Sequence, residues 1–383
     1  MIKPLRIVGA RIYTGRESDC TALNTTDRVL VEPHPRALTV DLEGYTIFPG
    51  LINGHDHLDR NHYPRTKFRE KYDNAHQWGE DISARLNESP FKELRAYPLE
   101  DKCLIGGLKN LLCGALTVYH HDPPHAPLFK SDFPVRVVQN YGWAHSLHFT
   151  PEAEIIASYR RTSPNVPWFI HLAEGTDYVA AGEYQRLKAM GCVGANTVIV
   201  HGVGLTEADI VDAAPKVLGL VWCPTSNDYL LGTQPKLGAW LASGGRLVLG
   251  SDSRLTAECD FQFEQLQAKR LLIDAGWPDY LFDTAGLMRD SLAETLSPGS
   301  RADWFISQGG VARADLALIV RGGVPQIGDP DLMEKFPHIE AVDATLDGKP
   351  KRVNLQLARQ IQRCSLKEPG LEIIGSIKSS RWF

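Results

Sequence analysis

The stretch Phe48-Pro49-Gly50-Leu51-Ile52-Asn53-Gly54-His55-Asp56-His57 runs from apolar residues into two histidines one position apart. Such an apolar run reads as a buried strand, and side chains along a strand alternate between its faces. His55 and His57 therefore share a face. Two imidazoles on one face at the end of a strand are suited to gripping a single metal ion. The plain alternative is a pair of surface histidines in a turn.

Three more runs repeat the pattern downstream. Trp168-Phe169-Ile170-His171 ends in histidine and is followed by Leu172-Ala173-Glu174, and Thr197-Val198-Ile199-Val200-His201 ends in another. Arg246-Leu247-Val248-Leu249-Gly250-Ser251-Asp252 ends in a carboxylate instead. Near-continuous apolar runs of this length read as strands of a parallel sheet covered on both faces. Each one delivers a His or Asp where the strand stops.

Further strands are read at 115–120 and 135–140, with a weaker one at 143–149. Helical patterns lie near 80–95, 99–113, 235–243 and 259–275, and Thr206 with Asp209 marks a capped helix start. A polar loop, 58–79, carries Asn61, His62, Tyr63, Arg65 and Trp78. The alternating region, 47–296, has the size of a (β/α)8 barrel of about 250 residues, a fold whose strand C-terminal ends carry the active site. The strand-rich flanks, 1–46 and 297–383, are expected to pair into one small β-sandwich, with about fifteen C-terminal residues as a surface tail. The expected fold class is thus α/β: a distorted TIM-like (β/α)8 barrel with a composite β-sandwich built from both termini.

The 383 residues are 43% hydrophobic and 23% charged, ordinary for a soluble globular protein. A net charge of −5 argues against a nucleic-acid or anionic membrane surface. No apolar run reaches the ~18 residues of a membrane span, and the first residues are too interrupted for a signal peptide. The seven cysteines are scattered and include no CxxC pair, which fits a reducing cytoplasm and neither a disulfide framework nor a cysteine–zinc site.

On these residues the chain resembles the amidohydrolase superfamily, in the branch of cytosine deaminase, guanine deaminase and the triazine hydrolases. The pieces that carry the resemblance are PGLINGHDHL (49–58), HLAE (171–174), HGVGL (201–205), CPTSN (223–227), LASGGRLVLGSDS (241–253) and SPGSRADWFI (297–306). The resemblance implies that His55, His57, His171 and Asp252 ligate one divalent metal, Zn or Fe. It implies that His201 partners the attacking water or the substrate, and that Glu174 is the acid/base, with Asp252 also able to take the water's proton. Neutral imidazoles with a carboxylate hold such an ion while leaving a position open, and the ion acidifies water there. The plain alternatives are a helix N-terminal carboxylate for Glu174 and a buried structural histidine for His201. Binuclear relatives bridge their metals with a carbamylated lysine on the fourth strand, but residues 133–149 contain no lysine, so one metal is expected. The interval from His57 to His171 is short for this branch, which implies trimmed third and fourth barrel units.

The loop 58–79, with Arg65, is where substrate choice is expected to lie, and residues near expected strand ends are further candidates for touching substrate: His120 and His121 (beside Asp122), Trp143 with His145, Trp222, Asn227 and Arg254. A core or surface role is the plain alternative for each. The implied activity is hydrolytic deamination of a small heterocyclic or amidine-like substrate. The alternatives are hydrolysis of an amide or another leaving group at the same site, and a binding protein without catalysis. A small-molecule partner, no nucleic acid, no membrane, a cytoplasmic location and a homodimer as prior complete the reading.

Overall fold

The computed structural model describes residues 2–13, 17–18, 22–274, 296–309 and 312–375. Among the described residues the barrel has eight strands, in chain order β1 (Leu51–Asp56), β2 (Ala115–His120), β3 (Arg136–Val137), β4 (Gly142–Ser146), β5 (Trp168–Leu172), β6 (Thr197–His201), β7 (Gly219–Trp222) and β8 (Leu247–Leu249), each parallel to its neighbours. They form two ladders, β3-β2-β1 and β4-β5-β6-β7-β8. The chain leaving β8 returns to β1, where the backbone N–H groups of Ser251 and Asp252 both donate to the His55 carbonyl at 3.0 Å. Gly54 permits this approach, because a Cβ there would lie 2.6 Å from Val248 Cγ1 and 3.0 Å from the Leu249 carbonyl oxygen.

The barrel is distorted between β3 and β4. Four residues, 138–141, connect the two strands without a helix, and the expected strand at 135–140 shortens to Arg136–Val137. The third unit is therefore trimmed, while the fourth, also expected to be short, keeps a full helix, Glu152–Arg161, between β4 and β5. Elsewhere helices intervene, such as Leu99–Leu111 before β2, Tyr178–Ala189 before β6 and Glu207–Ala213 before β7. The last of these starts on the Thr206–Asp209 capping box read from sequence.

The unbroken apolar runs are explained by two-sided burial. In β5, Phe169 packs with Ile52, Val198, Val200, Val221 and Val248 inside the barrel. Its neighbours Trp168, Ile170 and Leu172 pack instead with Tyr184, Leu187 and Ile210 of the surrounding helices. Both faces shed water, so neither needs polar residues.

Strands from both ends of the chain share one mixed layer, in which Arg11–Tyr13 pairs parallel with Thr46–Pro49. Thr46–Pro49 pairs antiparallel with Trp304–Ser307, and the Phe48 and Phe305 rings stack at 5.5 Å in register. A second sheet of Val29–Leu30, Ala22–Thr25, Leu5–Val8 and Leu38–Asp41 supplies the other wall. Leu5, Ile7, Val40, Trp304, Ile306, Leu318 and Phe336 fill this core.

Some boundaries differ from the sequence reading. The loop after β1 ends at Asn74, whose side chain accepts from Gln77 N and caps helix Ala75–Ala84. The pattern at 80–95 divides between that helix and Phe91–Ala96. Leu371–Ile373, expected within the tail, pairs with Ala341–Leu346 as an edge strand. Residues 376–383 of that tail, residues 275–295 of the barrel region and Cys20 lie outside the described residues. No helix among the described residues is long and apolar enough to cross a membrane.

Candidate metal centre and cavity

The strand ends converge. His55 Nε2 lies 3.2 Å from His171 Nε2 and 3.9 Å from Asp252 Oδ1, and His57 Nε2 lies 3.7 Å from the same Asp252 oxygen. Donors about 2.1 Å from a tetrahedrally held ion stand roughly 3.4 Å apart, so this spacing fits one zinc-sized cation. Buried imidazoles packed this closely point the same way. Burial, then the neighbouring imidazoles, hold His55 and His171 well below the ordinary histidine range, which is the neutral, ligating form.

Each imidazole is oriented by its other nitrogen. His57 Nδ1 donates to Asp122 Oδ2 at 2.6 Å, and His171 Nδ1 donates to the His145 carbonyl at 2.8 Å. Burial opposes a charge on His57, but the Asp122 carboxylate outweighs it and raises that histidine. Asp122 is in turn gripped by Arg60 Nη2 at 2.7 Å. Asp252 is fixed through Oδ2, which accepts from Ser226 Oγ at 2.7 Å and Thr256 Oγ1 at 2.8 Å. Beneath it, buried Lys109 pairs with Asp56 at 3.2 Å and donates to the Asp252 carbonyl at 2.6 Å.

Strand alternation alone would misplace His201. His171 is registered with Val200, and Leu172 with His201, so an extended His201 would face the outer helices. A left-handed backbone, φ +71, turns its side chain back towards the site. Its Nδ1 donates to Asn227 Oδ1 at 2.8 Å, and its Nε2 lies 3.5 Å from Glu174 Oε1. Ala173 is left-handed too, at φ +54, with its N–H on Glu183 Oε2 at 2.6 Å, and this bend presents Glu174. Burial, then Asp252 and Glu183, pushes the Glu174 carboxyl well above the usual range.

His57, His171, Glu174, His201 and Asp252 line one side of a cavity of about 450 Å³. Tyr63, Trp78, Ile82, Phe91, Phe149 and Leu255 also line it, as do the cations Arg60, Arg95 and Lys102. Helix Ala75–Ala84, which provides Trp78 and Ile82, is anchored at its start by the Ala75 N–H on the Glu174 carbonyl.

Of the residues named from the sequence as candidates for touching substrate, only His145 lines this cavity. Arg65 stacks on Tyr229 and donates to the Thr225 and Thr256 carbonyls. Asn227 serves His201. Arg254 is spent on Glu368. Trp222 turns outward, its indole N–H on Gln234 Oε1 at 2.7 Å, and Trp143 packs edge-on against His121. His120 accepts from the Leu58 N–H at Nδ1 and donates from Nε2 to the Pro123 carbonyl. With both nitrogens engaged it has no lone pair for a metal beside Asp59 and His125, although those three side chains cluster. His121 lies behind His55.

No family model matches the chain, and no curated protein matches it in sequence. Solved structures do. The adenosine deaminase of Xanthomonas campestris with bound zinc is 16% identical at a TM-score of 0.62, the match covering 87% of this chain and 96% of that one. The atrazine chlorohydrolase of Arthrobacter aurescens complexed with zinc is 14% identical at 0.67, covering 87% and 98%. An amidohydrolase from a Sargasso Sea environmental sample is 16% identical at 0.58, covering 84% and 92%. This chain shares the fold of these three proteins.

Tyr63 and Trp78, both in the stretch 58–79 singled out from sequence, line the cavity, whereas sequence reasoning missed Asp122 as the partner of His57, the Lys109–Asp56 pair, and the wall residues Ile82, Phe91 and Leu255. Asp122 carried a signal, standing directly after His120-His121. Lys109 carried none, since a lysine in a helical pattern reads as solvated.

Proposed function

We propose that this protein is a mononuclear metal-dependent hydrolase that adds water to an sp² carbon bonded to nitrogen, releasing ammonia from a small heterocycle or amidine. The observation that carries the reading is the Glu174–His201 pair, 3.5 Å apart, facing the cavity beside the His55, His57, His171 and Asp252 donors. Those donors would hold one Zn or Fe ion, which when bound supplies Lewis-acid activation of water at neutral pH.

The chain's own groups divide the remaining work. Asp252 takes the proton that the attacking water gives up, while Ser226 and Thr256 keep its carboxylate in place. Glu174, kept protonated by burial, delivers its proton to the ring nitrogen or the departing amine. His201, oriented by Asn227, positions the carbon–nitrogen group between them. Trp78, Phe91 and Leu255 offer apolar faces to a flat ring and exclude bulk water. Water and the amino-bearing carbon thus become a carbonyl and ammonia.

The cavity volume suits a small molecule, and the acidic charge balance and cysteine usage support a cytoplasmic enzyme without a nucleic-acid partner. A homodimer is the prior for its assembly, checked by light scattering. The test of function is ammonia release from a panel of aminopurines, aminopyrimidines, aminopterins and cyclic amides. Release that disappears in Glu174→Gln while the metal content stays near one per chain supports the reading. A turned-over substrate that yields no ammonia overturns deamination in favour of another leaving group, and two metals per chain overturn the mononuclear site.

A further inference from the structure

His121 is 2% exposed and stands immediately behind the donor cluster. Its ring stacks on His171 at 4.1 Å with planes 6° apart, and Trp143 closes the far side edge-on at 5.7 Å. Its Nε2 lies 2.9 Å from the Ala144 carbonyl and its Nδ1 3.3 Å from His55 Nδ1. A carbonyl only accepts, so Nε2 of a neutral His121 carries the proton and Nδ1 is left with a lone pair. The bond between the two Nδ1 atoms then has one direction. His55 donates and His121 accepts, which leaves His55 Nε2 unprotonated among His171 Nε2 and Asp252 Oδ1.

We infer that His121 is a positioning residue that sets the tautomer and ring orientation of His55, through the relay Ala144 carbonyl, His121, His55. The inference rests on the proposed metal role of His55. It gives each of the three clustered imidazoles its own acceptor: Asp122 for His57, the His145 carbonyl for His171 and His121 for His55. Such partners hold a ligating imidazole in the tautomer that the metal requires. His55 is wholly buried, so without an acceptor its Nδ1–H has no water to turn to. Moving the proton to Nε2 would satisfy nothing better, because that nitrogen faces the other donors and would lose its lone pair.

The test compares the wild-type protein with His121→Asn, whose amide oxygen takes the place of the Nδ1 acceptor, and His121→Phe, which keeps the ring and removes the acceptor. Zinc affinity is read by competition with a chromophoric chelator, and the ligand set by X-ray absorption. The expected result is affinity about 10–100-fold weaker in His121→Phe and within about threefold of wild type in His121→Asn, with the same number of imidazole ligands in all three. If His121→Phe does not fold, His121→Gln, which keeps a donor for Ala144 but places no acceptor at Nδ1, gives the same comparison. Unchanged affinity in the acceptor-free variant overturns the inference. So does a fourth imidazole on the wild-type metal that disappears in His121→Phe, which would make His121 a ligand. A wild-type protein that takes up no zinc or iron overturns the metal reading itself, a failure distinct from the other two.

Discussion

Arg254 and Glu368 meet in a two-point ion pair, Nη1 to Oε2 at 2.8 Å and Nη2 to Oε1 at 2.7 Å, although 114 positions separate them in the chain. Glu368 also accepts from Arg313 Nη1 at 2.7 Å, and Arg313 is bound in turn by Asp347. A segment from the C-terminal region is thereby latched to the loop that follows Asp252.

Removing only the carboxylate leaves two guanidinium groups facing each other with little water. Glu368→Ala is expected to lower the unfolding free energy by about 3–5 kcal/mol, whereas replacing Arg254, Arg313 and Glu368 together by apolar residues costs much less. Denaturant unfolding of the single and triple variants checks this. A loss below about 1 kcal/mol in Glu368→Ala would show that the latch is idle.

Asp122 both orients His57 and neutralises Arg60. Asp122→Ala frees the His57 ring and leaves Arg60 to repel a cation in the site. Zinc affinity is expected to fall about 10–100-fold, measured by chelator competition. Saturating zinc should accordingly raise the melting temperature of the wild-type protein more than that of this variant, and chelation should remove the difference.

Gly54 marks the approach of β1 to β8. A methyl group there would overlap Val248 and crowd the Leu249 carbonyl. Gly54→Ala is expected to destabilise by about 1–3 kcal/mol. It should also weaken metal binding, because the His55 carbonyl receives the Ser251 and Asp252 N–H groups at the same seam. Equal stability of this variant in urea unfolding would mean that the seam opens without cost.

His62 titrates outside the donor cluster. Burial pulls it down to about 4 from an ordinary 6.5, with its Nε2–H on the Leu94 carbonyl. The folded value lies below the unfolded one, so the unfolded chain takes up the proton first as the pH falls. Stability is full above about pH 6.5 and declines towards pH 4, by up to about 2 kcal/mol once partial exposure is allowed for. His62→Gln is expected to flatten this part of the stability profile. An unchanged slope between pH 6.5 and 4 would remove His62 as its source.

The strand ends bearing His55, His57, His171 and Asp252 were legible because burial on both faces writes itself into a single strand as an unbroken apolar run. The Thr206–Asp209 cap was legible because both partners lie within one helical turn. His201 was legible only in part. Its position at the end of an apolar run could be read, but the left-handed turn that swings it inward is a backbone state that several residue types adopt. The short third unit was visible as a short interval, though not as a missing helix.

The sequence by itself determined the order of strands and helices and the residues that terminate the strands, since these follow from local periodicity and from the chemistry of single positions. Only the tertiary structure decided the pairings. It gave Asp122 to His57 and His121 to His55, spent Arg254 on Glu368, and built the cavity wall from Trp78, Ile82 and Phe91. A side chain's partner depends on which distant segments lie beside it, and for polar groups buried together that choice is made by geometry and by the cost of leaving a donor or acceptor unmatched.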